Sequence, residues 1–249
     1  VNDVANVLLA AGGSPIMSDD ADDVEDITSI CGGLNINIGT LNKNTIPSMF
    51  LAGKKANELG HIVLLDPVGA GASRLRTDTA NRLMQEVRFD AVRGNISEIK
   101  TLCTGSGSTK GVDADAVDAV TEANLDDGVQ LVKTFAQRAG CIVAVTGAID
   151  LVSDGERCWC IRNGRAEMSR ITGTGCQLSA LMTAFLVANP DHKLAAAAAA
   201  VCMMGLAGEI GWANMQPGDG NSTYRNRIID AIFNMTGDAL EEGAKYELR

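Results

Sequence analysis

No cluster of basic residues interrupts this 249-residue sequence, in which 31 Asp and Glu outnumber 21 Lys and Arg for a formal charge of -10. Nothing in it would offset the repulsion of a phosphate backbone, so nucleic acid is excluded as a partner and a small-molecule ligand is expected. Histidine is nearly absent, with only His61 and His192, and no Cys-x-x-Cys pair occurs, which argues against a zinc site. The seven cysteines are odd in number and scattered through apolar runs, the pattern of reduced thiols in a cytoplasmic protein and not of a disulfide framework. No secretory signal is visible, and the most apolar stretch, Leu194 to Ala207, is too short for a bilayer and reads as a buried helix, so no membrane partner is expected. Aromatics make up only 4%, yet 46% of residues are hydrophobic; with no internal repeat or linker, residues 1–249 are expected to form one domain with ample core.

What is present is an alternation of strand and helix signals. Asp3 to Ala11 reads as a helix ended by Gly12 and Gly13. Four aspartates, Asp19, Asp20, Asp22 and Asp23, precede Val24, Ile27 and Ile30 at helical spacing, and acidic residues favour a helix start. Leu34 to Gly39 alternates like a strand, Thr45 to Leu59 is helical with Pro47 in its first turn, and the apolar run Ile62 to Leu65 is a strand buried on both faces. A helix is expected over Thr77 to Val87, a strand at Ala91 and Val92, and a helix from Asn95 to Leu102. The Gly- and Ser-rich stretch 105–111 lacks the Gly-Lys-Ser/Thr order of a phosphate loop and reads as a surface insertion. After a helix from Asp126 to Ala139 and a strand from Cys141 to Val145, short strands joined by hairpin turns are expected at Leu151 to Ser153, Cys158 to Ile161 and Met168 to Ile171. The remainder is helical: Gln177 to Ala188, Leu194 to Met215, and Thr223 to Phe233 with an extension to Ala244. Such alternation indicates an α/β layer fold around a mainly parallel sheet.

In open α/β sheets ligands bind beyond the C-terminal strand ends, and the chemically distinctive residues gather there. Gly173, Thr174 and Gly175 open into an apolar helix, giving either a tight loop or an anion site made by the first free amides and the helix dipole. Cys176 lies in the same field. Asp66, before Pro67, either caps its loop or holds magnesium through water. Asn95 and Glu98, three apart, either complete a capping box or hold a hydrated Mg²⁺ against triphosphate oxygens, and Arg93 is either a surface charge or a fork for phosphate. Together they describe a phosphotransferase site.

Eight motifs in order carry a resemblance over nearly the whole chain: Asp3-Val4-Ala5-Asn6, Ser14-Pro15-Ile16-Met17, Asn37-Ile38-Gly39-Thr40-Leu41, Asp66-Pro67-Val68-Gly69-Ala70-Gly71-Ala72, Arg93-Gly94-Asn95-x-x-Glu98, Lys110-Gly111-Val112-Asp113, Val145-Thr146-Gly147, and Thr172-Gly173-Thr174-Gly175-Cys176. The set closely resembles the hydroxyethylthiazole kinases of the ribokinase-like superfamily. That resemblance implies a ribokinase-like three-layer α/β/α fold with a central mainly parallel sheet, and transfer of the γ-phosphoryl of ATP, with Mg²⁺, to the hydroxyl of 4-methyl-5-(2-hydroxyethyl)thiazole in thiamine salvage. It implies a homotrimer with active sites between subunits. By the same resemblance Met17, Gly173 and Gly39 are substrate-side, Arg93, Thr146 and Asn95 contact ATP, and Asp66 and Glu98 serve magnesium through water. Gly173, Thr174, Gly175 and Cys176 then form the catalytic turn, in which Cys176 stands where related sugar kinases carry an aspartate base. The loosened Gly218 to Tyr224 stretch matches the family's adenine-side motif only partly. The chain starts at Val1 and is expected to be a piece of a longer product, lacking the helix and Thr-Asn-ended segment usual upstream in that family. Two other readings compete: an ATP-dependent NAD(P)H-hydrate dehydratase, which would keep aspartate in place of Cys176, and a non-catalytic thiazole-binding homologue.

Overall fold

The computed structural model describes residues 1–104 and 119–249; segment 105–111 and the 110–113 motif lie outside the described residues. The chain opens with α1 (Asn2–Ala10) and α2 (Val24–Ile30), followed by β1 (Gly33–Asn37), α3 (Thr45–Leu59), β2 (Ile62–Asp66), α4 (Arg74–Glu86) and β3 (Ala91–Asn95). Next come α5 (Ile96–Thr104), α6 (Leu125–Ala139), β4 (Ile142–Thr146), β5 (Asp150–Ser153) and β6 (Cys158–Ile161). The chain closes with α7 (Thr174–Ala188), α8 (Lys193–Ala213), α9 (Asn221–Asn234), α10 (Gly237–Gly243) and β7 (Tyr246–Leu248).

Among the described residues seven strands lie in sequence order in one sheet. β1 to β4 are parallel and β4 to β7 antiparallel, so the sheet is mixed, with its parallel half carrying the crossovers. Parallel crossovers are right-handed, and strands added always on the same side therefore place every crossover helix on one face. That face buries Phe50 and Ala56 of α3, Ala80 and Leu83 of α4, Ile99 of α5 and Val132 and Phe135 of α6 against Val63, Leu65, Val92, Val143 and Val145. The opposite face, where Leu64, Ala91, Ile142, Ala144 and Val152 point, has no crossover helix to cover it; Val7 of α1 and the apolar sides of α7, α8 and α9 close it. The result is three layers, α/β/α.

This topology explains the composition of the late helices. α8 is buried along most of its length, and its alanines and glycines let it lie close to its neighbours: a Cβ on Gly205 would stand 2.7 Å from Cβ of Asn163. The helix with its preceding turn, Pro190–Ala213, is 24 residues and apolar enough to cross a membrane, so length does not decide against a span as the shorter apolar stretch suggested; burial against the sheet does.

The expected third hairpin strand is corrected. Ala166–Arg170 forms a 3-10 turn instead, with Met168 packed against Gly208 of α8. The free edge of β6 is taken by β7, in register Trp159↔Leu248 and Ile161↔Tyr246, from a C-terminal segment whose sequence showed no strand signal.

Candidate active site

The parallel strands bring four polar residues to one edge of the sheet. Asn37 and Asp66 are the last register pair of β1 and β2, and Asn95 and Thr146 the last of β3 and β4. β2 and β3 pair only through Leu64↔Ala91 and Leu65↔Val92. Beyond these pairs the ladder lapses, and Asp66 and Arg93 flank the opening. A sheet whose strands are added in one direction has no reversal of strand order to make a crevice; this lapse supplies one.

Asp66 is fully buried. Its Oδ2 accepts hydrogen bonds from Asn37 Nδ2 at 2.7 Å and Ser179 Oγ at 2.9 Å. Its Oδ1 lies 3.5 Å from Arg93 Nη1 and has no hydrogen-bond partner. Burial pushes this carboxyl above its ordinary range, opposed by the Arg93 charge and by the donors Ser179, Cys176 and Asn37. Arg93 is itself 9% exposed. Its Nη2 donates to Thr146 Oγ1 at 2.6 Å, while its Nε is buried without a partner. A carboxylate oxygen left unpaired 3.5 Å from a guanidinium whose own Nε is unpaired marks this as a site built for more than the fold.

The N-terminus of α7 faces this pair. Gly173 caps the helix at φ 81°, a left-handed conformation that glycine adopts without strain, and the first amide bonded within the helix is Gln177 N, to Gly173 O. Gly175 abuts Arg93: a Cβ there would lie 2.5 Å from Nη1 and 2.6 Å from Nη2. The Thr174–Gly175–Cys176 turn is therefore pressed onto the guanidinium. Cys176 is half-buried; burial first, and then the Asp66 charge, raise its pKa above the ordinary 9.0, so the group is a thiol at neutral pH.

Asn95 and Glu98 form a capping box in which Glu98 N donates to Asn95 Oδ1 and Asn95 N to Glu98 Oε2, each at 2.8 Å. Glu98 also reaches across to the Asp66 loop, its Oε1 accepting from Gly69 N at 2.8 Å. Asn95 ends β3 and caps α5 from outside its first turn, so the two side chains are turned toward each other's backbone amides and not presented as a pair along one helix face. Burial pushes the Glu98 carboxyl up, against the two amides that stabilise its charge. Gly39 N donates to Asn37 Oδ1 at 2.8 Å, which ties the expected substrate-side loop to the residue that holds Asp66. Gly147, after Thr146, donates to Asp150 Oδ1, and burial raises that carboxyl to about 7 against the Gly147 amide and the Arg93 charge.

Arg93, Thr146, Asp66, Cys176 and the 173–175 turn thus come together, with Glu98, Asn95 and Gly39 tied in through the loops. Met17 does not join them among the described contacts; it is 47% exposed on the irregular segment between α1 and α2. Tyr224 turns inward, its hydroxyl donating to Gly208 O and its ring edge-on to Trp212, so its ring serves the core. Two residues that position Asp66 escaped the sequence reading. Ser179 follows Cys176 by three, a spacing that puts both on one helix face, and Asn37 ends an alternating strand.

Comparison with known proteins bears on the family. The model of the hydroxyethylthiazole kinase family matches residues 1–238. A protein named hydroxyethylthiazole kinase from Clostridium acetobutylicum is 56% identical over 247 residues, covering 99% of this chain and 90% of the relative. Its counterpart from Clostridium beijerinckii is 47% identical over 248 residues, covering 99% and 88%. The solved hydroxyethylthiazole kinase of Pyrococcus horikoshii OT3 superposes with a TM-score of 0.87 at 31% identity over 100% of this chain and 89% of that one. Pyridoxal kinase from Staphylococcus aureus, at 15% identity and a TM-score of 0.61 over 100% of this chain and 92% of that one, shares the ribokinase-like fold alone. The chain belongs to the hydroxyethylthiazole kinase family.

Proposed function

We propose that this chain transfers the γ-phosphoryl of ATP to the hydroxyl of 4-methyl-5-(2-hydroxyethyl)thiazole, and that the Asp66–Arg93 opening beneath the N-terminus of α7 is where transfer occurs. The observation that carries the reading is the pair of buried, unsatisfied atoms, Asp66 Oδ1 and Arg93 Nε, facing a helix end that offers free amides. Phosphoryl transfer asks mainly for positioning and charge stabilisation, and this arrangement supplies both.

In the proposed mechanism Arg93 pairs with phosphate oxygens, and the amides of Thr174, Gly175 and Cys176 receive charge that develops on the transferring group. Cys176 Sγ, a neutral thiol, orients the acceptor hydroxyl. Removal of the hydroxyl proton lags behind P–O cleavage in a loose transition state, so a strong base is not required there. Asn37 and Ser179 hold Asp66 in place, and Glu98 holds Gly69. The donor set fits magnesium held through water: no group of three or more His, Cys, Asp or Glu converges among the described residues, both Glu98 oxygens already accept backbone amides, and Asp66 Oδ1 is free. Bound in this way by Asp66 and Glu98, the ion supplies neutralisation of the phosphate charge. The half-exposed Ile16 and Met17 suit a thiazole pocket completed by a second copy of the chain, as in the homotrimer that the family resemblance implies.

A coupled assay of ADP release with the thiazole alcohol, ATP and Mg²⁺ tests the activity, and light scattering on the eluting protein tests the trimer. Absence of turnover with the thiazole alcohol would defeat the reading.

A further inference from the structure

The backbone ladder between β1 and β2 ends at the pair Asn37↔Asp66, with one more bond from Ile38 N to Asp66 O. The residues beyond it carry the proposed chemistry, yet strand pairing no longer fixes their separation. Arg76, in the first turn of α4, takes over where the ladder stops. Its Nη1 donates to Val68 O at 2.8 Å and to Ile38 O at 3.1 Å, and its Nη2 donates to Gly39 O at 2.8 Å. One planar fork therefore grips three carbonyls on two loops, a geometry that a lysine ammonium does not reproduce. The fork rests on Gly69, where a Cβ would stand 3.0 Å from Arg76 Cδ and 3.2 Å from Nη1. Gly69 N in turn donates to Glu98 Oε1, and Glu98 Oε2 accepts from Asn95 N. The tie thus runs without a break from the β1–α3 loop through Arg76 and Glu98 to the end of β3. Among the described residues no carboxylate pairs with Arg76, so its charge serves the carbonyls alone.

We propose that Arg76 is a positioning residue for the phosphoryl acceptor, setting the distance between the Gly39 loop on the substrate side and the Asp66 to Gly69 loop on the phosphate side. The proposal rests on the phosphotransfer reading above and adds a residue that touches neither substrate. Small displacements between reacting groups cost large factors in rate, so a loosened tie shows first as poorer capture and aim of the alcohol.

The test uses the full chain with Arg76→Lys and Arg76→Gln, measuring kcat, the KM for each substrate, and hydrogen exchange of segment 38–44. In both variants the KM for 4-methyl-5-(2-hydroxyethyl)thiazole is expected to rise about tenfold and the ATP KM to stay within about twofold, with the Lys variant less impaired. Exchange in 38–44 quickens in both, while that in β3 is unchanged. Thr77→Val provides the contrast, because Thr77 Oγ1 accepts from Gly71 N and donates to Ser73 O within the same loop without touching the β1 side. Its alcohol KM stays near wild type. Equal changes in both KM values, unchanged kinetics, or a chain that fails to fold without Arg76 would each overturn the proposal, the last by making Arg76 a fold determinant. If wild-type chain does not phosphorylate the thiazole alcohol, the functional reading fails, and the exchange contrast between Arg76→Lys and wild type then judges the tie by itself.

Discussion

Replacing Gly175 by alanine tests how tightly the catalytic turn is pressed onto Arg93. The added Cβ would stand 2.5 Å from Nη1, 2.6 Å from Nη2 and 2.9 Å from Cζ of a guanidinium that is itself 9% exposed. Ordinary carbon contacts lie at about 3.5–4.0 Å, so the fork must retreat by roughly 1 Å. The retreat strains the 2.6 Å bond to Thr146 Oγ1, a charge-assisted bond of the class worth about 1.5–3 kcal/mol. Overpacking adds about 1–3 kcal/mol. Alanine in a helix recovers up to about 1 kcal/mol relative to glycine. The net expectation is a loss of about 2–4 kcal/mol, or roughly 4–16 °C in Tm for a domain of this size. Activity should suffer more, because in the proposed mechanism Arg93 pairs with phosphate oxygens and a displaced fork would miss them: kcat falls about 10²-fold or more. Scanning calorimetry and the ADP-release assay read the two effects. Gly173→Ala serves as a control for the Tm alone, since a Cβ at 173 meets no atom of the described chain and its stability cost comes from the left-handed backbone. A Gly175→Ala chain with wild-type Tm and a kcat within about threefold of wild type would refute both the contact and the role given to Arg93.

Cys176→Ala is expected to lower kcat about tenfold and leave measurable turnover, as fits a group that orients and does not need to ionise; complete loss of turnover with ATP binding intact would make it an obligatory base. Because burial and the Asp66 charge raise the Cys176 pKa, the wild-type rate should show no thiol titration between about pH 6 and 8.5, checked by its pH profile against that of Cys176→Ser. Asp150, raised to about 7, is protonated in the folded chain over the window from its ordinary 3.8 upward, where the unfolded chain releases the proton, so the carboxylate costs stability as pH rises through that window. Asp150→Asn should therefore gain on wild type progressively from pH 4 to 7 and hold a constant advantage above it, about 1–2 kcal/mol after screening by partial solvent access; melting curves across pH with a flat difference would contradict this. Leu181→Ala, in the fully buried centre of α7, should cost about 2–5 kcal/mol in calorimetry while leaving both KM values unchanged.

The parallel half of the fold was legible because buried strands such as Ile62 to Leu65 write themselves locally and the helices expected to end at Leu59 and Ala139 do end there, each followed by a glycine that the structure places in the left-handed conformation. The edge was not legible. β7 is three residues long and acquires its structure only from the vacant side of β6, and Met168 to Ile171 was drawn into a turn by the packing of Met168 on α8, both of them long-range effects. In the candidate site, most of the residues that the structure brings together were already named by motif. What the motif hid was how they are supported: Glu98 looked like a ligand and is also a brace, and the contributions of Asn37, Ser179 and Arg76 depend on contacts up to 113 residues apart.

A sheet whose strands are laid down in chain order, with all crossover helices on one side, grows on the ribosome with its other side bare. Leu64, Ala91, Ile142 and Val152 wait for α7 and α8, which with α9 are the last of the covering helices to be made, so a nascent chain ending before α7 displays a continuous apolar face to the cell. The same delay governs the chemistry. Asp66 acquires Ser179, and Arg93 its neighbour Gly175, only when α7 docks, so the step that hides the sticky surface is also the step that assembles the proposed phosphate site. By this reasoning a truncated or stalled chain exposes the apolar face and lacks the proposed site together.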